Sequence, residues 1–213
     1  MSTLVRQHDV AGVILAGGLA RRMGGGDKSL KLLAGQTLLQ RVLGRIIPQV
    51  GPLLINANGD PARFAEHHLP VAVDVLEGHP GPLAGILTAM EWFAEHHPDI
   101  KWLVSVPCDA PLIPQDLVKR LKSAAEQEKL PLACAVSRGR SHPVVGLWSV
   151  HLRADLRQAL VEDEVRKVDL WTARHGIAEA VFADLEIAGQ KLDPFFNANK
   201  PGDLTEVEAF LLT

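Results

Sequence analysis

Two patterns of apolar residues alternate along the chain. One is short and continuous: Val10–Leu15 is apolar throughout and stops at Gly17 and Gly18, as a strand buried on both faces does. The other repeats at helical spacing. Leu38, Leu39, Val42, Leu43, Ile46 and Ile47 form one stripe, Thr37 and Gln40 stand three apart as a capping box, and Pro48 closes the helix. The alternation then continues, with a strand predicted over Leu53–Asn56, a short helix over 61–68, and a strand over 71–73 that runs into Asp74. Pro82 opens a helix whose stripe is Leu83, Ile86, Leu87, Met90, Phe93 and Ala94, closed by His96, His97 and Pro98. A buried strand over 102–106 precedes a helix carrying Leu117, Val118, Leu121, Ala124 and Ala125. Strands over 132–136 and 143–150, a helix over 151–162, a strand over 177–183 and a last helix holding Leu204, Val207, Phe210 and Leu211 complete the reading.

Strands that alternate with helices imply βαβ units, so the expected fold class is α/β: a three-layer α/β/α domain with a mostly parallel sheet, Rossmann-like in plan. The chain is less regular from Pro143 onward, where an antiparallel element fits. In such sheets ligands bind beyond the carboxyl ends of the strands, which makes the segments after Leu15, Asn56, Val73 and Val106 the ones to read for chemistry.

With 213 residues, 47% of them apolar, and a mean hydropathy of +0.09, the chain suits one domain with a real core. We expect a single domain over 1–213, with 1–9 as a flexible N-terminus. The formal charge of −3 and pI near 6.3 argue against a protein held to nucleic acid or to an anionic membrane by bulk charge. The longest run of low polarity, 10–20, is well short of the roughly 18 residues that span a bilayer. Arg6, Gln7, His8 and Asp9 occupy the place of a signal core, and the only cysteines are Cys108 and Cys134, so a cytoplasmic setting is expected.

Candidate chemistry starts in the loop after the first strand. Gly17, Gly18, Gly24, Gly25 and Gly26 allow backbone N–H groups to approach a ligand, and Arg21, Arg22, Lys28 and Lys31 face Asp27 alone over 21–31. This is an anion-binding composition. It is not a P-loop, because Asp27 stands where that pattern requires glycine before Lys28 and Ser29. Asp109, between Pro107 and Pro111 at a strand end, suits Mg²⁺, a hard cation taken by one or two carboxylates plus phosphate oxygens, and equally suits a turn or a helix cap. Asn56 and Asp74 also end strands, where turn chemistry is the alternative. Gly78, Gly81 and Gly85 surround the entry of the Pro82 helix. Asn197 and Asn199 alternate along an extended segment, so that both amides fall on one face. Cys108 reads as a packed small residue rather than a reactive thiol. His67, His68, His96 and His97 sit at predicted helix C-termini, where imidazolium complements the dipole.

The string Leu15-Ala16-Gly17-Gly18, followed by Arg22-Met23-Gly24 and Asp27-Lys28, resembles the signature loop of nucleotidyltransferases of the nucleotide-diphospho-sugar transferase fold. Within that superfamily the chain is most similar to the molybdenum cofactor guanylyltransferases, from residue 11 to about 211. Asn197, Asn199, Pro201, Asp203 and Leu204 match a second segment of that family, with Lys200 in place of its usual threonine, and 142–147 resembles a third. The resemblance implies transfer of GMP from GTP to molybdopterin with release of pyrophosphate. It implies catalytic roles for Arg22, Lys28 and Asp109, with Mg²⁺ on Asp109. Nucleotide contacts fall on Leu15, Ala16, Gly17, Gly18, Lys28, Asn56, Asp74, Gly81 and Asp109, and molybdopterin contacts on Asn197 and Asn199. It further implies transient contact with the molybdenum insertion protein and with apo-molybdoenzymes or their chaperones. A molybdopterin cytidylyltransferase and a sugar-1-phosphate nucleotidyltransferase are the alternatives within the superfamily, although these more often carry Leu-Ala-Ala-Gly in the loop. A non-catalytic guanine-nucleotide sensor or carrier is the alternative from another class.

Overall fold

The computed structural model describes residues 9–17, 26–78, 81–187, 189–198 and 200–212. In chain order the elements are β1 (Val10–Leu15), the small hairpin β2 (Leu32–Leu33) and β3 (Gln36–Thr37), α1 (Leu38–Ile46), β4 (Leu53–Asn56), β5 (Val71–Ala72) and α2 (Pro82–His96). They continue as β6 (Trp102–Pro107), α3 (Leu117–Glu128), β7 (Leu132–Ser137), β8 (Arg140–Ser149), α4 (Arg153–Val161) and α5 (Val168–Thr172), and end as β9 (Ala178–Phe182), the hairpin β10 (Leu185–Ile187) and β11 (Gln190–Leu192), and α6 (Pro201–Leu212).

Seven strands form the central sheet in the order β5-β4-β1-β6-β8-β7-β9, and only β8 runs antiparallel to its neighbours. β1 shows how the sheet divides the core. Val10 and Ile14 enter a cluster with Leu39, Val42 and Ile46 of α1 and Leu117, Val118 and Leu121 of α3, while Ala11 and Val13 enter one with Leu83, Leu87, Met90 and Phe93 of α2. Alternation along a strand thus feeds two helix layers, as the three-layer expectation requires. A third cluster, Leu33, Leu38, Leu112, Leu192, Val207 and Phe210, seats α6 against β2, the start of α1 and β11.

The capping box forms as the spacing predicts: Thr37 Oγ1 accepts from Gln40 N–H at 3.0 Å, and Gln40 Oε1 accepts from Thr37 N–H at 2.9 Å. Residues Pro61–His67 are a 3₁₀ helix, with Asp60 accepting from Ala62 N–H at its start. β8 starts three residues earlier than the apolar run suggests and carries an irregularity: Ala135 pairs with His142 but Cys134 with Gly146, so Pro143, Val144 and Val145 are extra residues on that strand. Pro143 has no N–H for a ladder, and a bulge is where a strand tolerates proline. Lys200 cannot cap α6 by side chain. Asp203 does so from inside the helix, its carboxylate accepting from Lys200 N–H at 2.7 Å. Asp9, at the edge of the expected flexible segment, is held by Lys122 at 2.7 Å.

Asp155 ties the α4–α5 layer together, its Oδ1 accepting from Trp171 Nε1 at 2.7 Å and His175 Nε2 at 2.8 Å. Burial pushes the Asp155 pKa up, but these two hydrogen bonds and the nearby His175 and Arg174 charges outweigh it and hold the carboxyl below its usual 3.8. A depressed carboxyl contributes stability above its unfolded pKa and loses it as pH falls through the folded one. Asp155→Asn is therefore expected to lower Tm at pH 7, with the difference from wild type shrinking below about pH 4. Thermal melts of the two proteins at pH 7 and pH 3 check this; an undiminished gap at pH 3 would contradict it.

Candidate active site

The strand order runs outward in both directions from β1 and β6, which makes their carboxyl ends the switch point at which open α/β sheets bind ligands. The chain is pinned there. Ala16 N–H donates to the Asn56 carbonyl at 2.8 Å and Cys108 N–H to the Leu15 carbonyl at 3.2 Å, so the ends of β1, β4 and β6 move as one. Beside them lies a cleft of about 420 Å³, walled by Leu15, Gly17, Asn56, Asn58 and Asp74, by Gly81 and Pro82 at the head of α2, and by Val144 on the bulge of β8. That volume is within the range of small-ligand pockets.

One wall is built to present a carboxylate. Asp74 Oδ1 accepts from Asn56 Nδ2 at 2.9 Å and Oδ2 from Asn58 Nδ2 at 2.8 Å, while Asn58 Oδ1 accepts from Asp74 N–H at 3.0 Å. Both oxygens are thereby oriented in advance, each with a lone pair left to accept N–H donors of a ligand. Asn56 has room only because α2 carries Gly85 against it: a Cβ there would lie 2.2 Å from Asn56 Oδ1 and 2.8 Å from Leu15 Cδ2. Gly81, at φ 133°, turns the chain into α2 in a conformation that side chains rarely adopt, and Pro82 fills the first helical position. The positive end of the α2 dipole therefore borders the cleft.

The second half of the site lies beyond β6. Asp27 Oδ1 accepts from Ser29 N–H at 2.9 Å and Ser29 Oγ at 2.6 Å, capping the short 3₁₀ turn Lys28–Leu30. The carboxylate that disqualifies a P-loop is thus a turn cap. The turn delivers Lys28, only 8% exposed, to Asp109 Oδ2 in a close ion pair across 81 residues of sequence. Asp109 Oδ1 is buried and accepts no hydrogen bond among the described residues. A buried carboxylate oxygen without a donor is what a hard divalent cation takes, its other ligands being phosphate oxygens. Among the described residues, no group of three His, Cys, Asp or Glu side chains could hold a metal by itself. Asp109 fits a metal that is shared with a polyphosphate.

Arg63 links the two halves. Its Nε pairs with Asp27 Oδ2 at 2.7 Å, Nη2 donates to the Asn58 carbonyl at 2.6 Å and Nη1 to the Asp60 carbonyl at 2.7 Å, with the guanidinium 4.5 Å from the centre of the Phe64 ring. An ammonium cannot reach three acceptors fixed in a fork. Arg63→Lys is expected to weaken the GTP binding that the sequence resemblance implies about tenfold, the cost of one or two charge-assisted hydrogen bonds. Calorimetric titration checks it; unchanged affinity would separate the loop from the cleft.

Of the residues that sequence position nominated, Leu15, Gly17, Asn56, Asp74 and Gly81 meet at the cleft, Ala16 is buried between two of them and is not part of its wall, and Lys28 and Asp109 meet each other. Asn197 is exposed, next to Ala198, whose N–H donates to the Asp109 carbonyl at 3.0 Å. Gly18, Arg22 and Asn199 lie outside the described residues. Burial pushes the Cys108 thiol far above its ordinary value and Cys134 up to about 11, so both are packed residues and not nucleophiles. Sequence reading passes over Asn58 and Arg63, and meets Val144 only within 142–147, the third family-like segment, without giving it a role. Asn58 had a signal, since it stands two residues after Asn56 at a strand end; Arg63 had none.

Comparison with known proteins adds the family to which the chain belongs. Residues 12–176 match the family model of the MobA-like NTP transferase domain. The chain is 52% identical over 200 residues to the molybdenum cofactor guanylyltransferase of Rhodopseudomonas palustris (strain BisB5), covering 94% of this chain and 93% of that one. It is 50% identical to that of Nitrobacter hamburgensis, covering 92% of each. The crystal structure of molybdopterin-guanine dinucleotide biosynthesis protein A from Archaeoglobus fulgidus superposes with a TM-score of 0.69 at 20% identity, covering 95% of this chain and 98% of that one, which is a likeness of fold. By the extent of the family match and by identity over nearly its whole length, the chain belongs to the molybdenum cofactor guanylyltransferase family of MobA-like NTP transferases.

Proposed function

We propose that the chain transfers GMP from GTP to molybdopterin, releasing pyrophosphate and forming the guanine dinucleotide form of the cofactor. The observation that carries the reading is the joining of Lys28 to Asp109 beside a nucleoside-sized cleft. A terminal phosphate oxygen of molybdopterin attacks the α-phosphorus of GTP. The new P–O bond forms as the α,β-bridging P–O bond breaks, and pyrophosphate leaves with the electron pair. The nucleophile is already an anion, so no general base is needed and catalysis rests on positioning and charge.

Each half of the site has a task in this reading. The Asp74 carboxylate, fixed by Asn56 and Asn58, accepts N–H groups of the guanine edge. Leu15, Ala16, Gly17 and Gly18 with Gly81 shape the path of the nucleotide, and Lys28 and Arg22 neutralise its phosphates. Asp109 would hold Mg²⁺, which would offset negative charge on the transferring group. Asn197 and Asn199 address the acceptor. The test is pyrophosphate release from purified protein with Mg²⁺ and molybdopterin, comparing GTP, CTP and ATP. Release with GTP alone is expected. Release with CTP would overturn the choice of base, and nucleotide binding without release would turn the chain into a sensor or carrier.

A further inference from the structure

Outside the cleft, three polar side chains form a hydrogen-bonded line at the carboxyl end of β7. Ser137 Oγ lies 2.7 Å from Asp193 Oδ1 and 2.7 Å from His142 Nε2, and Ser137 is fully buried. The residue types are those of a hydrolytic triad, but the serine stands in the middle. A hydroxyl has one proton to give. Donated to the carboxylate, that proton leaves Oγ as the acceptor, so His142 must donate from Nε2. An imidazole protonated there cannot take a proton from serine, and a buried Oγ meets no substrate.

The line ends on a strap. Asp193 Oδ1 also accepts from Phe195 N–H at 2.9 Å, and the Asp193 carbonyl accepts from Phe196 N–H at 3.1 Å, so one residue turns the chain twice. The Phe195 ring is buried, 4.7 Å from the His142 ring and 5.1 Å from Phe182. At the other end Ala198 N–H donates to the carbonyl of Asp109. The segment from Asp193 to Ala198 is therefore pinned at both ends, and its second pin is the backbone of the residue at the reacting centre. Asn197 lies between the pins and is exposed.

We propose that Ser137, His142 and Asp193 are positioning residues for the acceptor substrate: their hydrogen-bonded line sets the place of the 193–198 strap against Asp109, and so the affinity for molybdopterin, without a part in GTP binding. The inference rests on the reading of Asn197 as an acceptor contact. Two substitutions at one position separate positioning from bulk. Asp193→Ala removes the acceptor of both hydrogen bonds, whereas Asp193→Asn keeps an oxygen at the same place.

Steady-state kinetics of the full chain with GTP and molybdopterin varied in turn provide the test. Asp193→Ala is expected to raise the KM for molybdopterin about tenfold or more, as for loss of a buried hydrogen-bonding partner, and to leave the KM for GTP within about twofold. Asp193→Asn is expected to restore the acceptor KM to within about threefold of wild type, and His142→Gln, which retains an N–H donor, to do better than His142→Ala. Amide exchange at Phe195 and Ala198 is expected to quicken in Asp193→Ala and stay slow in Asp193→Asn. An unchanged acceptor KM in Asp193→Ala, in an enzyme whose wild type transfers GMP, overturns the positioning role alone. Both KM values rising together with a fall in Tm would make the line a fold element and overturn it as well. A wild type that forms no product overturns the functional reading, and this inference with it.

Discussion

Asp109→Asn is expected to lower kcat by about a thousandfold, the scale on which a preorganised electrostatic contact at a transferring group acts, while GTP still binds and the chain still folds. The side chain keeps its shape, and its amide oxygen still accepts from Lys28. What goes is the negative charge, and with it the hard oxygen ligand that the buried Oδ1, without a donor among the described residues, offers to a divalent cation. The backbone role survives, since the Asp109 carbonyl still accepts from Ala198 N–H. The effect should therefore fall on kcat far more than on KM for GTP, and raising the Mg²⁺ concentration should recover only part of it. Pyrophosphate release at saturating substrates, read beside a thermal melt, measures both. A rate within tenfold of wild type would remove Asp109 from the reacting centre.

Lys28→Ala is expected to lower kcat/KM for GTP by about 10²- to 10³-fold and, unlike the first substitution, to weaken GTP binding. An ammonium beside a triphosphate is felt in the bound substrate and in the transition state, so its loss appears in both constants. The fold should persist. Lys28 sits on a short capped turn outside the three apolar clusters, and the cap itself comes from Asp27. The substitution does leave Asp109 without its ion-pair partner, so some loss of Tm is expected, as for any half-buried charge whose counter-ion is removed. Lys28→Arg is expected to restore little activity, because the position is nearly closed to solvent and a planar guanidinium is no replacement for a compact ammonium there.

How far the molecule is legible in its sequence depends on how local the cause of each feature is. The Thr37 capping box is a matter of three residues and reads directly. β1, β4 and β6 read from mostly apolar runs, broken only by Ser105 and Asn56, because both faces are buried. β10 and β11 escape notice because Glu186, Gln190 and Lys191 are exposed and polar, leaving no apolar run to see. α5 has five residues, too few to show a helical period. The true start of β8 is hidden behind Arg140, Ser141 and the extra residues that follow His142. The same rule holds at the site. Asn56, Asp74 and Asp109 are legible because a strand end in a parallel sheet is itself a place. Arg63 is not, because its role consists of distances to Asp27 and Asn58 that only the fold creates, and Ser137 meets Asp193 across 56 residues.

The fate of the α-phosphorus tests the central claim most directly. With GTP labelled at that atom, molybdopterin and Mg²⁺, the label is expected to appear on the pterin product in step with pyrophosphate, to leave none bound to protein, and to stay on GTP when molybdopterin is omitted. Label released as free GMP at the same rate with or without molybdopterin, or retained on the protein, would contradict direct transfer at the Lys28–Asp109 centre.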